Sequence, residues 1–291
     1  MLLSITNKNN RIMKITRKIV LMAAVVTINA TLISCKKDSV VDTTEIETTF
    51  DLSGKQAIAD GLTEDANDVL DETVESQNLS GAREPLVASG TATCAQVTVS
   101  PGAFPKTITL DFGAGCTSNN GITRSGIVTI VLSDSLRHNG TTATMTFQNY
   151  YVNGYHKEGT ITWTNTSTAS TRSWHREVAN GRITAPDGRS WTHSSSRDIT
   201  QVAGVNTPRV LIDDAFSVTG NGTVTNSNGV TRTSTILTAL HKMVACAHID
   251  QGSIKYQGPN HYATLDFGNG TCDNIATISI DGYTPRTITL P

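Results

Sequence analysis

Leu32, Ile33 and Ser34 stand directly before Cys35, an order of residues suited to one reaction, the transfer of lipid to a thiol. Such a processing site needs an apolar residue three positions before a cysteine, a small residue just before it, and the thiol as acceptor. Leu32, Ser34 and Cys35 supply these. Lys8, Arg11, Lys14, Arg17 and Lys18, with no acid among them, precede an apolar stretch from Ile19 to Ile33 that is broken by Thr27, Asn29 and Thr31. The stretch is shorter than the roughly 20 residues of a spanning helix, so residues 1–34 read as a cleavable signal peptide, with Met13 as a second candidate start. The expectation is a chain held to a membrane by lipid on Cys35, outside the cytoplasm. Lys36 replaces the aspartate of an inner-membrane retention signal, which favours the outer membrane and leaves its periplasmic and outer faces both open.

Other residue types capable of chemistry lack the spacing for it. The four cysteines after Cys35, namely Cys94, Cys116, Cys246 and Cys272, form no CxxC pair, which argues against zinc. In an oxidising compartment their even number suggests two disulfides, with three pairings open. The seven histidines (138, 156, 175, 193, 241, 248 and 261) show neither HxH nor HExxH spacing. Ser194 to Ser196 flank His193, but no Gly-x-Ser-x-Gly elbow accompanies them. Asp111-Phe112-Gly113 and Asp266-Phe267-Gly268 spell a kinase magnesium tripeptide without the rest of a kinase, so they read as turn geometry. Asp266, Asn269 and Asp273 read as Asx turns in preference to a calcium site. No catalytic residue, metal or cofactor is expected. Trp163, Trp174 and Trp191, with Tyr155 nearby, are candidate ligand-facing residues for a sugar, against the plainer reading of cross-strand packing.

The elements that must position these residues follow from periodicity. Residues 35–52 are polar and rich in threonine and acids, and read as a flexible tether after Cys35. Asp38-Ser39-Val40, Asp42-Thr43-Thr44 and Asp134-Ser135-Leu136 match short O-glycosylation sequons. Residues 53–78 read as one amphipathic helix, with Ser53 and Gln56 as a capping box. Ile58, Leu62, Ala66, Val69 and Leu70 share its apolar face; Asp60, Glu64, Asp68, Asp71, Glu72 and Glu75 fall on the remainder, read as solvated. From residue 88 to 291 Thr, Val and Ile alternate with polar residues. Asn-Gly or Asp-Gly pairs at 120, 139, 153, 180, 187, 221, 228 and 281 punctuate this region as tight hairpin turns. The expected fold is all-β: an antiparallel meander of about 14 to 16 strands, arranged as a large twisted sheet, half-barrel or sandwich, with one N-terminal amphipathic helix.

Charge bounds the partners. The chain has 23 Lys and Arg against 25 Asp and Glu. Without the five bases before Cys35, the remainder carries a formal charge of −7, which argues against a nucleic-acid partner.

Two stretches, 94–116 and 246–272, repeat one pattern: a cysteine, an alternating strand ending in Leu-Asp-Phe-Gly-x-Gly, and a second cysteine at once or one residue later. Ile108, Leu110 and Phe112 match Ala263, Leu265 and Phe267 on one strand face. A hairpin in each module would bring Cys94 to Cys116 and Cys246 to Cys272, so local pairing is favoured over pairing between modules. With these modules the chain resembles a family of uncharacterised Bacteroidota lipoproteins. The likeness rests on Cys35-Lys36-Lys37-Asp38, Leu110 to Gly113, Gly121 to Gly126, Phe147 to Tyr155, and Leu265 to Asn274. It covers most of the chain after Cys35. The resemblance implies an envelope location and a β architecture, and it brings no activity. The expected function is an outer-membrane-anchored lipoprotein with a non-catalytic structural or interaction β-domain, bound to the membrane through Cys35 and to an envelope protein or glycan. The alternative is a glycan-binding lipoprotein using Trp163, Trp174 and Trp191.

Overall fold

The computed structural model describes residues 40–81, 94–207 and 210–291. The expected signal peptide, Cys35 and the sequon at Ser39 lie outside them. One helix, α1 (Val40–Ser76), precedes fourteen strands. These are β1 (Gln96–Val99), β2 (Lys106–Asp111), β3 (Cys116–Thr117), β4 (Thr123–Leu132), β5 (Thr142–Val152), β6 (Tyr155–Asn165) and β7 (Ser173–Thr184), followed by β8 (Ser190–Ala203), β9 (Ala215–Asn226), β10 (Thr231–Met243), β11 (Gln251–Gln257), β12 (Tyr262–Asn269), β13 (Ile275–Ile280) and β14 (Arg286–Thr289). All belong to one antiparallel sheet in near-sequential order, with the short β3 pairing only β4. The sheet stays open because β1 and β14 each have one neighbour. The expected all-β meander is therefore present, as a single open sheet and not a sandwich or closed barrel.

The helix departs from expectation twice. It begins at Val40, so residues 40–52, read as part of the tether, are helical. The cause is burial: Ile46, Phe50 and Leu52 pack into the core, and the hydroxyls of Thr48, Thr49 and Ser53 donate to carbonyls four residues back at 2.7–2.8 Å. Threonines that look like linker from composition are satisfied inside the helix. Ser53 consequently caps nothing. The C-terminal end falls where expected. Asn78 adopts φ 55° and the Leu79 amide donates to Val74 O at 2.8 Å, a left-handed Schellman-type stop.

The second departure concerns the acids. Asp60, Glu64, Glu72 and Glu75 are buried, as is Asp65, whereas Asp68 and Asp71 are partly so. The expected solvated face is not there, because the sheet covers it. Side chains from β4, β6, β7, β8 and β10 all reach α1. Strands lie about 4.8 Å apart, so this many flat strands would span far more than a helix diameter. The sheet must curl around α1, and alternate residues of each strand point inward onto it. Two apolar clusters result: one joins the C-terminal half of α1 to β2 and β4–β9, the other joins Ile46, Phe50 and Ala57 to β8–β13.

The Asn-Gly signal also needs one correction. Asn153-Gly154 makes a two-residue turn with both φ values positive, and the pairs at 120, 139, 187, 228 and 281 lie between strands. Asn180-Gly181 and Asn221-Gly222, however, fall inside β7 and β9. At Asn180 (φ 54°) the β7–β8 register slips, so the same left-handed preference that makes a turn here makes a bulge. Gly126 shows the close approach that such bulges demand: a Cβ there would sit 2.0 Å from Asn149 O, at φ 86°.

Both disulfides join cysteines within a module, Cys94–Cys116 and Cys246–Cys272, with Cα separations of 5.9 and 5.2 Å. In each module the aspartate of Asp-Phe-Gly accepts from the glycine amide two residues on, at 2.7 Å for Asp111 and 2.8 Å for Asp266. The intervening Phe112 and Phe267 are buried. The tripeptide is thus an Asx turn that places a phenylalanine in the core, at the end of β2 in the first module and at a register shift within β12 in the second.

Candidate functional site

The chemistry-bearing side chains of this fold concentrate where α1 meets the inner face of the sheet. Arg124 of β4 donates twice to Asp65, with one Nε contact at 3.2 Å, and once to Ser118 at 2.8 Å. Arg176 of β7 donates to Glu64 at 2.6 Å, and Lys242 of β10 to Asp68 at 3.1 Å. Arg137, in the β4–β5 loop, donates to Glu75 at 2.8 Å. Arg197 of β8 lies 3.6 Å from Asp60. A row of helix acids therefore faces a row of sheet bases. Burial works against the charge on Glu64, yet the Arg176 guanidinium holds it below its ordinary range. Asp60 moves upward, because burial outweighs Arg197 and Gln56. Burial likewise pushes Asp68 up to about 6 despite Lys242. It pushes Lys157 down to about 7 and His193 down to about 3, the latter helped by the charges of Lys157 and Arg197.

A concavity of about 490 Å³ lies along the exposed stripe of the N-terminal half of α1. Phe50, Ile58, Trp191, Ile278 and Ile288 give it apolar walls, and Tyr155 and Thr287 add hydroxyls. Its rim carries ion pairs, Lys55 with Asp51 at 2.6 Å and Arg286 with Glu47. Trp191 is 3% exposed, and its indole N–H has no hydrogen-bond partner in the protein. Lys55 Nζ lies 5.9 Å from its ring. Apolar walls with a charged rim suit a ligand that has both an apolar face and hydroxyls.

The three tryptophans do not line one cleft. Trp163 is 2% exposed and donates to Asn67 of α1 at 2.9 Å, so it is core. Trp174 is partly buried, edge-on to Phe216 at 6.1 Å, at the far end of the sheet. Of the three, Trp191 borders the groove. Trp163, Trp174 and Trp191 all lie on inward positions of β6, β7 and β8, so they share the sheet face that α1 covers, where Trp163 is buried by packing and is not presented to a ligand.

One constellation escaped the sequence. His175 Nδ1 lies 2.8 Å from Asp198 and its Nε2 3.3 Å from Ser196 Oγ, linking acid, histidine and serine across β7 and β8. The hydrogen bond that the imidazole donates to Asp198 raises the His175 pKa. This is triad connectivity on the outer face of the sheet, where the Asp198 side chain is 73% exposed. An acyl-transfer site also needs donors aimed at a developing oxyanion and a wall that excludes water. The neighbouring strand amides are committed to ladder pairs with β6 and β9. The arrangement therefore works as a cross-strand polar network. Its signal was the pairing of His175 with Asp198 in register, which requires knowing which strands are neighbours.

A second cleft, at the C-terminal end of α1, holds Asp71 and Asp214 among Leu136, Trp174, Leu211 and Phe216. Asp214 accepts from Gln201 at 2.8 Å. Gly204 allows the approach, since a Cβ there would lie 1.9 Å from the Asp214 carboxylate. Burial, assisted by the charge of Asp213, pushes Asp214 up to about 7. A carboxyl raised in the folded state binds a proton that the unfolded chain has already released. Its contribution is therefore complete below about pH 4 and lost as pH rises through about 7. Asp214→Asn removes that titration. The melting temperature of the variant relative to the parent should climb between pH 4 and pH 8, and a difference that stays flat over this range would refute the assignment.

Among the described residues, no group of three or more His, Cys, Asp or Glu is placed to hold a metal ion, and no helix is long and apolar enough to cross a membrane. No family model, curated protein or solved structure matches this chain.

Proposed function

We propose that the chain is a lipoprotein, held in the outer membrane through lipid on Cys35, whose disulfide-stapled β-domain binds an envelope partner without catalysing a reaction. The observation that carries this reading is the coexistence of the Leu32–Cys35 processing pattern with two disulfides formed within the domain. Disulfides of this kind persist in extracytoplasmic compartments. Cys35→Ala is the direct test: lipid labelling and membrane retention should both disappear, and retained labelling would overturn the anchor. The non-catalytic reading has its own measurement. A fluorophosphonate probe should leave Ser196 unmodified; labelling that vanishes in His175→Ala would instead make the outer-face network a working nucleophile.

A second reading, glycan binding, is favoured by one feature, the groove beside α1, where Trp191 and aliphatic side chains meet polar groups and a charged rim. Sugars present hydroxyls for such polar groups and C–H faces for aromatic walls. Titrating a panel of envelope glycans should quench or shift tryptophan emission in the parent and fail to do so in Trp191→Phe. A response that survives this substitution would place the binding elsewhere.

A further inference from the structure

The two apolar clusters are separated by a polar seam beneath α1, and its hydrogen bonding does not close. Arg176 and Arg197 are directly opposite each other on β7 and β8, 2% and 1% exposed. Like charges in that relation repel unless something lies between them. Glu64 takes one N–H of Arg176, and Asp60, held by Gln56 at 2.9 Å, stands 3.6 Å from Arg197. Arg176 Nε and Nη1 and both terminal nitrogens of Arg197 still have no hydrogen-bond partner in the protein. The hydroxyls of Ser234 and Tyr256, cross-strand neighbours on β10 and β11, are equally unpartnered. Tyr256 is fully buried and feels the charges of Asp60 and Arg197, which places it at the same seam.

Counting donors against acceptors decides what fits. Four guanidinium nitrogens, which can only donate, outnumber the unpartnered acceptors Asp60 Oδ2, Gln56 Oε1 and His193 Nε2, with the two hydroxyls able to act either way. A buried donor left unmade is costly, so this excess calls for a group rich in acceptors and negative charge. We infer that the seam between α1 and strands β7–β11 is a closed binding site for one small oxyanion, of the phosphate, sulfate or carboxylate class, gripped by Arg176 and Arg197 with Tyr256 as a further donor. Paired guanidiniums match the geometry of an oxyanion better than a spherical halide. Occupancy would lock α1 to the sheet at the point where the apolar core is interrupted. The site is separate from the Trp191 groove and does not depend on what that groove binds.

Because the site is closed, the anion must be offered while the chain folds. The domain with its disulfides intact is unfolded and refolded in low-millimolar inorganic phosphate, sulfate or acetate, against chloride at equal ionic strength. A ligand of the folded state alone raises stability with the logarithm of its concentration, by about 5–10 °C in melting temperature at one hundred times its dissociation constant. Phosphate or sulfate should give that rise and chloride should not. Tyr256→Phe keeps the ring and removes one donor, so the phosphate response should need roughly three- to tenfold more anion. Arg176→Gln should abolish it. Equal melting temperatures in phosphate and chloride would overturn the site, as would a phosphate response undiminished in both variants.

Discussion

Asp65→Ala should destabilise the domain by about 3–5 kcal/mol, read as a fall in the denaturant midpoint at unchanged slope. The reason is the state of the partner left behind. Arg124 is fully buried on β4, and Asp65 accepts two of its donors while Ser118 takes a third. Alanine leaves a guanidinium charge in the interior without the carboxylate that neutralised it. Burial opposes the charge on Arg124, and it is the Asp65 carboxylate that keeps its pKa above the usual arginine value. The cost belongs to the orphaned charge more than to the pair itself, since desolvating two ions offsets most of their attraction. Removing both ends separates the two contributions. Asp65→Leu with Arg124→Met should recover most of the loss, and a double variant as unstable as Asp65→Ala would show that packing around α1, not charge, sets the effect.

Loss of both disulfides should be comparably severe. Cys94–Cys116 and Cys246–Cys272 close loops with sequence separations of 22 and 26. Each loop constrains the unfolded chain by about 3 kcal/mol. Together they approach about 6 kcal/mol, a large part of the roughly 5–15 kcal/mol that holds an ordinary domain folded. Replacing all four cysteines by serine, or unfolding in reductant, should lower the midpoint accordingly, with the two single-bridge variants near half the effect each. The bridges sit far apart in the strand order, the first beside β1–β4 and the second beside β10–β13. Their effects should therefore add, and a single-bridge variant as unstable as the double one would refute that independence.

The sheet was legible because its rules are local. Alternation along Thr107–Phe112 or Tyr262–Phe267, together with Asn-Gly pairs, specifies strands and turns within ten residues of sequence. The interior was not legible for the opposite reason. Asp65 meets Arg124 across 59 positions, and Lys242 meets Asp68 across 174. One signal was present nonetheless. Trp191, His193, Ser195, Arg197, Ile199 and Gln201 share the inward phase of β8, so a histidine and an arginine stand in one row with Trp191 and Ile199 of the core. Charges on a buried phase imply opposite charges on whatever covers it, and α1 is the one acidic amphipathic segment available. The tether was misread because Thr48, Thr49 and Ser53 satisfy themselves within the helix, which leaves composition without a trace of the burial that Ile46 and Phe50 bring.

That α1 is the hub of the sheet has a consequence for how the molecule comes into being. It is made before any strand, yet its last partners are made at the very end: Glu45 is held by Asn260, 215 positions later, and Glu47 by Arg286, 239 positions later. The bases that meet the acids of this 37-residue helix arrive one strand at a time, from Arg124 of β4 to Lys242 of β10 and finally Arg286 of β14. Contacts this distant in sequence carry a large loop-closure cost and slow the search. Emerging strands meanwhile expose edges that pair readily with the wrong chain. Folding should therefore be slow, completed only after β14 has emerged, and sensitive to whatever shields unpaired strands during that interval.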